Sequence, residues 1–558
     1  MLTGAVVACT GASPTPPPAS PAAPPAQPPY AAYLLLVEAA NHTPVPFARV
    51  IVASGQPCPS LAGGAGPVGM VKRDNPQGFS VDVCEAVVPF EQPLAVSGSP
   101  LTLPAAHRKV SRVTVLGDTG CEPSDQAGCG LDDPQWPFPV LAGAAARGAP
   151  DLVLHMGDYN YRGTPGSFTE ASNGSSTKLY YYDAGDGAPT DQMCGLKATY
   201  YSQNTAAGVP GYAPDSWEAW WLDFFQPAAP LLAAAPWIVA RGNHELCSHA
   251  GPGWLYFLGP SSRLPEGGGA QVSCPPQQGS GPVESHLVFV PPQVIALDGV
   301  TVVVLDTANA CDSLNNFGGR YAEQLASVAA RLGPGDAGPV WLMTHRPSWG
   351  LEGTASAPPL SCDNQPGTGS PQPYASINRT LQCAFASAAG SALLPKLDLS
   401  LAGHMHRLES LSFPAGSGRP PQLIVGNGGV LEDTSPPTGS FSQVIDGQQA
   451  SGFAVEQFGF VQMERDGRGV FRGAVVTPVP AAWSAVLPAC GASSPPDAPL
   501  ASRGSRSTPV SGEMGRSPAS LRAEPSCGRG RSTGSSQRRL LHRGGPGETQ
   551  AHAHRGRK

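Results

Sequence analysis

The chain has 558 residues, more than one ordinary domain, and 41% of them are hydrophobic, which is enough for a sizeable core. Charged residues make up only 13%, which excludes a disordered polyelectrolyte, and no stretch approaches the roughly 20 apolar residues of a membrane span. The net charge of −7 hides an asymmetry, because residues 501–558 carry 12 basic side chains against 3 acidic ones. An acidic body with a basic tail is therefore expected.

Residues 1–29 are interpreted as a targeting segment and linker that lie outside the fold. A short apolar stretch ends in Val6-Val7-Ala8-Cys9, and a Pro/Ala-rich run follows it. This resembles a bacterial lipoprotein signal, in which the cysteine becomes the lipidated N-terminus, although no basic region precedes it and the apolar part is short. The alternative is a flexible apolar N-terminus. On the first interpretation, Cys9 tethers the protein to a membrane.

Three further regions follow this segment. Residues 30–108 contain short alternating apolar runs between Gly/Pro turns, which predicts a small β domain. In residues 109–482 strands alternate with helical stretches, which is typical of an α/β sandwich. Residues 483–558 show no periodicity and are expected to form a disordered basic tail. A solvated tail is favoured over a nucleic-acid contact, so no specific nucleic-acid partner is predicted.

Helical spacing is expected over residues 135–146, 216–235 and 321–332. The second of these stretches is rich in aromatic residues, and their helical spacing favours a place in the core over a stacking platform for a ligand. These residues are Trp217, Trp220, Trp221, Phe224 and Phe225.

The 13 cysteines favour an exported protein. They are scattered, with no CxxC pair to suggest zinc, and scattered cysteines in a long chain indicate disulfides formed in an oxidising compartment. Cys121/Cys129 and Cys247/Cys274 are plausible local pairs. The predicted location is the cell envelope, as a lipoprotein or periplasmic protein, or the medium outside the cell.

The strongest functional signal is a repeated pattern, in which a short apolar strand runs into residues that can bind a metal. The five strand ends carry GDTG (117–120), GDYNY (157–161), GNHE (242–245), Thr344-His345 and GHMH (403–406). Open α/β sheets bind their ligands at the carboxyl ends of their strands. Five such ends predict one shared metal site.

The residue types at these ends indicate the chemistry. Carboxylate, phenol, amide and imidazole groups together suit first-row metals. Two cations roughly 3.5–4 Å apart can clamp a phosphate and activate a water molecule. His244, next to Asn243, is placed to donate a proton to a leaving oxygen, or it only supports its loop. Asp306 is a weaker candidate for orienting a ligand histidine, and Arg162, His155 and Arg346 are weaker candidates for phosphate contacts.

In order and type, the five blocks resemble the calcineurin-like metallophosphoesterases, and within them the purple acid phosphatase type. The resemblance covers roughly residues 112–406. It implies an α/β fold, an αββα sandwich of two mixed β-sheets flanked by helices, here preceded by the small β domain. The subtype rests on Gly120, where most of the superfamily has a histidine, and on Tyr161, three residues after the second aspartate.

The resemblance also implies two metal ions and their ligands. A phenolate is a hard, anionic ligand that suits Fe(III). The implied ligands of the ferric ion are Asp118, Asp158, Tyr161 and His406. Asp158 would bridge to a divalent metal (Fe, Zn or Mn), whose other implied ligands are Asn243, His345 and His404.

Together these inferences predict an exported dinuclear phosphoesterase that hydrolyses small phosphomonoesters by attack of a metal-bound hydroxide, with His244 as the catalytic proton donor. One alternative is a phosphodiesterase or nucleotide pyrophosphatase on the same metals. The other is a non-catalytic surface lipoprotein that uses the fold as a binding module. Intact ligands at all seven positions argue against a binding module, which has no need of them. The oligomeric state is left open.

Overall fold

The computed structural model describes residues 29–477, except residues 40–41, 65, 123–128, 134, 163–214, 248, 262–263, 265–270, 275–286, 334–337, 354–360, 366–373 and 434–437. The predictions for Cys9 and for the basic tail at 483–558 lie outside the described residues. None of the helices in the described part of the chain is both long and apolar enough to cross a membrane.

Within these residues the chain forms four β-sheets. The N-terminal strands are β1 (Ala31–Glu38), β2 (Pro44–Ala53), β3 (Ser60–Ala62), β4 (Val68–Gly69), β5 (Val71–Lys72), β6 (Val81–Val87), β7 (Leu94–Val96) and β8 (Thr102–Leu103). The next strands are β9 (Arg112–Leu116), β10 (Leu152–His155), β11 (Trp237–Val239), β12 (Gln293–Leu297), β13 (Val300–Val304), β14 (Val340–Met343), β15 (Gly350–Glu352) and β16 (Ala375–Ile377). The last are β17 (Leu399–Ala402), β18 (Leu408–Ser412), β19 (Gln422–Val425), β20 (Gly439–Ile445), β21 (Gln448–Val455), β22 (Phe460–Arg465) and β23 (Phe471–Val476).

The α-helices of the described residues are α1 (Phe138–Arg147), α2 (Trp217–Trp220), α3 (Gln226–Leu232), α4 (Gly251–Phe257), α5 (Gly318–Arg331), α6 (Arg379–Ala386) and α7 (Ala388–Leu393). The helix expected over 216–235 is divided into α2, a π-helical segment (Trp221–Phe225) and α3. The aromatic side chains of this stretch are buried in one cluster with α4, which confirms that they belong to the core.

Two large sheets dominate the fold. The first has nine strands in the order β23-β22-β9-β10-β11-β1-β2-β6-β5, and the second has eight in the order β12-β13-β14-β17-β19-β18-β21-β20. Both are mixed, because parallel central strands are flanked by antiparallel ones. Strands β9, β10, β11 and β1 are parallel in the first sheet, and β13, β14, β17 and β19 are parallel in the second. All carboxyl ends of each parallel set therefore meet at one edge.

The sheets pack face to face with helices on both outer sides. Successive side chains of a strand point to opposite faces. In β10, Leu154 packs in a cluster with Val302 of the second sheet, whereas Val153 packs with α1, α3 and α4. In β13, Val302 faces the first sheet, whereas Val303 packs against α5 and α6. This arrangement confirms the predicted αββα sandwich.

The N-terminal region is β-rich, as predicted, and it is joined to the first sheet. Strand β1 runs parallel to β11, with Leu35 opposite Trp237, and β2, β6 and β5 extend the sheet beyond it. Strands β4, β3, β7 and β8 form a separate four-stranded sheet. The domain boundary at residue 108 stays a prediction.

Two buried arginines connect the N-terminal strands to the end of α4. Arg49 donates to the carbonyl oxygens of Phe257 and Gly259, at 2.5 and 2.6 Å. Arg73 donates to Leu255 O at 2.8 Å and is paired with Glu85 at 3.0 Å. The last carbonyls of a helix have no partner within the helix and carry partial negative charge, so a cation stabilises them. The N-terminal region thus supports the helix that follows the GNHE motif.

Disulfides close several loops of the described chain. The pairs are Cys58–Cys84, Cys121–Cys129, Cys247–Cys274 and Cys362–Cys383, and Cys311 is also disulfide-bonded. The two local pairs expected from the sequence are confirmed. One of them begins directly after the GDTG motif, and the other begins two residues after the GNHE motif.

Candidate metal centre

The five predicted strand ends come together at one edge of the sandwich. Strands β9, β10 and β11 deliver the first three motifs from the first sheet, and β14 and β17 deliver the other two from the second. Hydrogen bonds link the two sheets here. The backbone N–H of His404 donates to Asp118 Oδ2 at 2.9 Å, and His345 Nδ1 lies 2.9 Å from the carbonyl oxygen of Met156.

A first group of candidate ligands surrounds the hydroxyl of Tyr161. This oxygen lies 3.0 Å from Asp118 Oδ1, 3.0 Å from Asp158 Oδ2 and 3.1 Å from His406 Nε2. Asp118, Asp158 and Tyr161 are at most 1% exposed, whereas the side chain of His406 is 22% exposed. Three oxygen donors and one nitrogen donor thus meet at a buried point.

Gly120 leaves the space that the Tyr161 ring occupies. A Cβ atom at position 120 would lie 2.7 Å from Tyr161 Cδ2 and 2.8 Å from the carbonyl oxygen of Tyr159. Real Cβ atoms do not approach other atoms this closely, so a histidine at 120 and the present position of Tyr161 exclude each other. The glycine and the tyrosine, on which the resemblance to the subtype rested together, are therefore in direct contact in the structure.

A second group of candidate ligands lies beside the first. Potential ligand atoms of Asp158, His345 and His404 all lie within 4.8 Å of one another. Asn243 Oδ1 is 2.7 Å from His345 Nε2, and Asp158 Oδ2 is 3.2 Å from the same nitrogen. Asp158 belongs to both groups, which is the position expected of a bridging carboxylate.

The hydrogen bonds of His345 show which ring nitrogen is available. A carbonyl oxygen only accepts, so Nδ1 carries the hydrogen that binds Met156 O, and Nε2 keeps its lone pair. This lone pair faces oxygen atoms of Asn243 and Asp158. Lone pairs of one nitrogen and two oxygens that converge in a buried site form a suitable set of ligands for a cation.

The electrostatics of the first group also fit a cation. Burial, and then the charge of Asp158, raise the pKa of Asp118 well above its usual range. Burial and the two carboxylates likewise raise the pKa of Tyr161. Burial disfavours the Asp158 carboxylate, whereas the backbone N–H of His244 favours its charged form. Three acidic groups in contact cannot all ionise without a positive charge between them, and metal ions supply that charge.

Three candidate ligands have backbone angles that are uncommon for residues with a side chain. The φ angle is 55° at Asp118, 56° at Asp158 and 73° at His404. Non-glycine residues in the left-handed region are strained, and such positions are concentrated at functional sites. At the same turns, a Cβ atom at Gly242 would overlap the carboxylate of Asp158.

Glu245 holds two of the ligand loops together, and the sequence did not single it out as a site residue. Its fully buried carboxylate accepts backbone N–H groups from Gly242 at 3.0 Å and from Asp158 at 3.0 Å. It also accepts those of Tyr159 at 2.8 Å and Asn160 at 3.2 Å. In the sequence, the only signal for this role was its place as the fourth residue of GNHE. The four backbone N–H groups that it accepts come from two separate loops, and only the folded structure brings them together.

His244 lies against the centre. Its backbone N–H donates to Asp158 Oδ1 at 3.0 Å, and its Nε2 is 3.9 Å from Asp158 Oδ2. The imidazole ring lies 4.1 Å from the Tyr161 ring, measured between centroids, and the side chain is 10% exposed. Burial lowers the pKa of His244 to about 3, although Asp158 opposes this. The ring is thus neutral in the metal-free protein above this pH.

A buried arginine paired with a carboxylate flanks four of the motifs in the described chain. The pairs are Arg162 with Asp223, Arg241 with Asp306, Arg346 with Asp312 and Arg407 with Glu409. Asp306 therefore binds an arginine, with Arg241 Nη2 at 2.7 Å, instead of orienting a ligand histidine. Arg162 and Arg346 are at most 3% exposed, so substrate does not reach them in this conformation.

Three further side chains near the centre differ from expectation or were missed. His155 is fully buried, with Nε2 2.9 Å from Thr119 Oγ1, so it supports the fold. Asp312 lies 3.0 Å from His404 Nε2. Asp433 accepts the backbone N–H of His406 at 2.9 Å. Asp312 and Asp433 lie outside the five motifs, and no local pattern marks them.

Comparison with known proteins identifies the class. Residues 111–408 match the family model "Calcineurin-like phosphoesterase", and the chain belongs to this family. The family binds a dinuclear metal site, and the Asp158, His345 and His404 cluster is consistent with it. The prediction of a metal-dependent phosphoesterase is thereby confirmed at this level.

A solved structure adds a distant likeness. The structure of PhoD is similar with a TM-score of 0.41 and 11% sequence identity, over 80% of this chain and 86% of PhoD. A likeness at this level carries no conclusion about function. No curated protein sequence matches the chain significantly.

Proposed function

We propose that this chain is an exported dinuclear phosphoesterase of the purple acid phosphatase type, which hydrolyses small phosphomonoesters. One observation carries the subtype. The Tyr161 hydroxyl lies 3.0 Å from carboxylate oxygens of both Asp118 and Asp158, in the space that Gly120 leaves open. A phenolate at this position favours a ferric ion over a divalent one.

The ligand sets follow the two groups of side chains. Asp118, Asp158, Tyr161 and His406 would hold the ferric ion. Asp158, Asn243, His345 and His404 would hold a divalent ion, for which Fe, Zn and Mn are candidates. When bound, the two ions supply Lewis-acid activation of a water molecule and of the phosphate oxygens.

The protein's own residues direct the substrate. Of the candidate ligands, His404 and His406 have side chains that are 13% and 22% exposed, whereas Asp118 and His345 are fully buried. The phosphate therefore approaches from the His404/His406 side. His244 also reaches the surface there, with 10% of its side chain exposed.

His244 is the proposed proton donor. A phosphate dianion beside the ring favours its charged form and raises the pKa above the value of about 3 in the free protein. The protonated ring can then give its proton to the leaving oxygen. The backbone bond to Asp158 fixes the loop that carries the ring.

The disulfides support export, because such bonds persist in oxidising compartments. Whether Cys9 is lipidated is a separate part of the proposal. Cys9→Ser should release the protein from the membrane fraction. A Cys9→Ser variant that fractionates with the membrane as wild type does would contradict lipidation at this residue.

Metal analysis with a visible spectrum of the purified protein tests the subtype. We expect iron in the protein and a broad visible band from phenolate-to-iron charge transfer. Tyr161→Phe keeps the ring and its packing but removes the ligand oxygen, so the band should vanish while the fold remains. Tyr159→Phe is a matched control, because the Tyr159 hydroxyl donates to Ala240 O at 3.0 Å, and its band should remain.

The possible outcomes test the ferric ion, the substrate class and the enzymatic activity separately. A colourless wild type that is fully active with Mn or Zn alone would overturn the ferric assignment and leave the two-metal phosphoesterase intact. Kinetics with p-nitrophenyl phosphate and bis(p-nitrophenyl) phosphate test the substrate class. A higher kcat/KM for the diester would replace the monoesterase proposal with the diesterase alternative. Absence of both metal and activity would favour the binding module.

A further inference from the structure

We propose that Asp312 is a positioning residue that holds His404 in the one tautomer able to bind a metal. The inference rests on the proposed function, because it takes His404 as a metal ligand. Asp312 Oδ2 lies 3.0 Å from His404 Nε2, and its side chain is 6% exposed. A carboxylate accepts hydrogen bonds, so it favours a hydrogen on Nε2. The lone pair of His404 is then on Nδ1.

The two histidines of the second group thus use opposite ring nitrogens. His345 donates through Nδ1 to Met156 O, which leaves Nε2 for a metal. His404 donates through Nε2 to Asp312, which leaves Nδ1. A hydrogen-bond partner on the far nitrogen sets the tautomer and the ring orientation of a ligand histidine. In one case the partner is a backbone carbonyl, and in the other it is a charged side chain.

Arg346 makes this choice of tautomer necessary. Its Nη1 lies 2.9 Å from the same nitrogen of His404 and also contacts Asp312. A guanidinium only donates. If Arg346 donated to Nε2, the ring hydrogen would move to Nδ1 and block that atom for a metal. Asp312 prevents this by accepting from both groups.

The surroundings of Asp312 keep it in place. Asn378 Nδ2 donates to Asp312 Oδ1 at 2.8 Å, while Asn378 Oδ1 accepts Leu381 N–H and caps α6. Arg346 is fully buried, and its Nε and Nη2 atoms have no hydrogen-bond partner among the described residues. Its only carboxylate contact in this part of the chain is therefore Asp312. The carboxylate both balances this charge and orients His404.

Metal binding by the purified full-length protein tests the proposal. The metal-free protein is titrated with Zn²⁺ in a calorimeter, and unfolding is measured in parallel. For Asp312→Asn we expect one of the two zinc sites to weaken by about 10–100-fold, the range found for partners of ligand histidines. The other site should keep its wild-type affinity.

Two further variants distinguish orientation from general damage. Asp306→Asn also breaks a buried Asp–Arg pair beside a ligand loop, but Asp306 makes no hydrogen bond to a candidate ligand, so both zinc sites should remain. Asp312→Asn/Arg346→Met removes the competing donor together with its charge, because methionine has no N–H group. It should fold like wild type and recover part of the lost affinity. Histidine ¹⁵N NMR of the zinc-loaded wild type should show His404 protonated at Nε2.

The results are decisive in each direction. Wild-type zinc affinity in Asp312→Asn, or a His404 ring protonated at Nδ1, would overturn the role of Asp312 and leave the proposed function intact. A wild type that binds neither zinc nor manganese nor iron would overturn the proposed function itself. If Asp312→Asn does not fold, the double variant decides. Wild-type zinc affinity at both of its sites would contradict the role of Asp312, whereas one site that stays weaker than in wild type would support it.

Discussion

The carboxylate of Asp158 touches both halves of the candidate centre. Its Oδ2 atom lies 3.0 Å from the Tyr161 hydroxyl and 3.2 Å from His345 Nε2, and its Oδ1 atom accepts the His244 N–H. If two metal ions are bound as proposed, this carboxylate would be a ligand to both. At the scale of single residues, it is the group on which the two-metal assignment depends most directly.

Asp158→Asn should therefore abolish phosphatase activity and lower metal content. Asparagine keeps the shape but loses the negative charge between two cations. We expect kcat/KM to fall by more than the roughly 100-fold that outer partners of ligands cost. Metal analysis and assays with p-nitrophenyl phosphate measure both effects. Asp223→Asn is the control, since Asp223 binds Arg162 at 2.6 Å and should keep its metals. Near wild-type activity in Asp158→Asn would remove the proposed site.

Between neighbouring elements, a buried acid joins β18 to β15. Glu409 on β18 is fully buried and accepts the Leu351 N–H of β15 at 3.2 Å. Arg407 Nε is 3.7 Å from its other oxygen. Burial raises the pKa of Glu409 to about 7, although Arg407 and the Leu351 N–H oppose this shift. The two strands are thus held by a group that takes up a proton on folding at mildly acid pH.

The free energy of unfolding should depend on pH through Glu409. Between its ordinary pKa of 4.5 and about 7, the folded protein keeps a proton that the unfolded chain has released. Raising the pH through this window therefore lowers stability, by up to roughly 3 kcal/mol. Denaturant unfolding at about pH 5 and about pH 7.5 measures the change. Glu409→Gln cannot titrate and should show a smaller pH dependence, and equal pH dependence in both proteins would refute this role.

The sequence predicted the features that a few neighbouring residues encode, and it missed the contacts between residues far apart in the chain. A strand followed by Gly-Asp or Gly-His is visible in a few residues, and so is Tyr161, three positions after Asp158. Asp312 acts on His404 across 92 residues, and Glu245 on Asp158 across 87. Such partners are common acidic residues with no spacing to identify them. The joining of β1 to β11 was hidden for the same reason, because strand pairing leaves no local pattern.

At the scale of the whole described chain, two disulfide bonds lie next to loops that carry candidate metal ligands. Cys121–Cys129 and Cys247–Cys274 span 8 and 27 residues, and each begins just after a metal-binding motif. Cys58–Cys84 instead lies within the N-terminal region, where it joins the loop after β2 to β6. Disulfides stabilise chiefly by restricting the unfolded chain, each by about 2–4 kcal/mol. Here two of them also restrict the loops that carry Asp118 and Asn243.

Reduction should therefore lower both stability and metal retention. We expect dithiothreitol to reduce the melting temperature and release metal, as followed by thermal unfolding and metal analysis. Cys121→Ser/Cys129→Ser should lose metal more readily than wild type. Cys58→Ser/Cys84→Ser should lose stability alone and is the matched control. Cysteines that are already reduced in protein taken from the cell would contradict both the expectation and export.

The amide cradle of Glu245 has a consequence for how metals enter and leave. Because four backbone N–H groups already fix the turns at Asp158 and Gly242, we expect these turns to keep their conformation when metals leave. Metal exchange should then need no refolding, with entry beside His406, whose side chain is the most exposed of the candidate ligands at 22%. A protein of this design would keep its shape between one metal occupancy and the next.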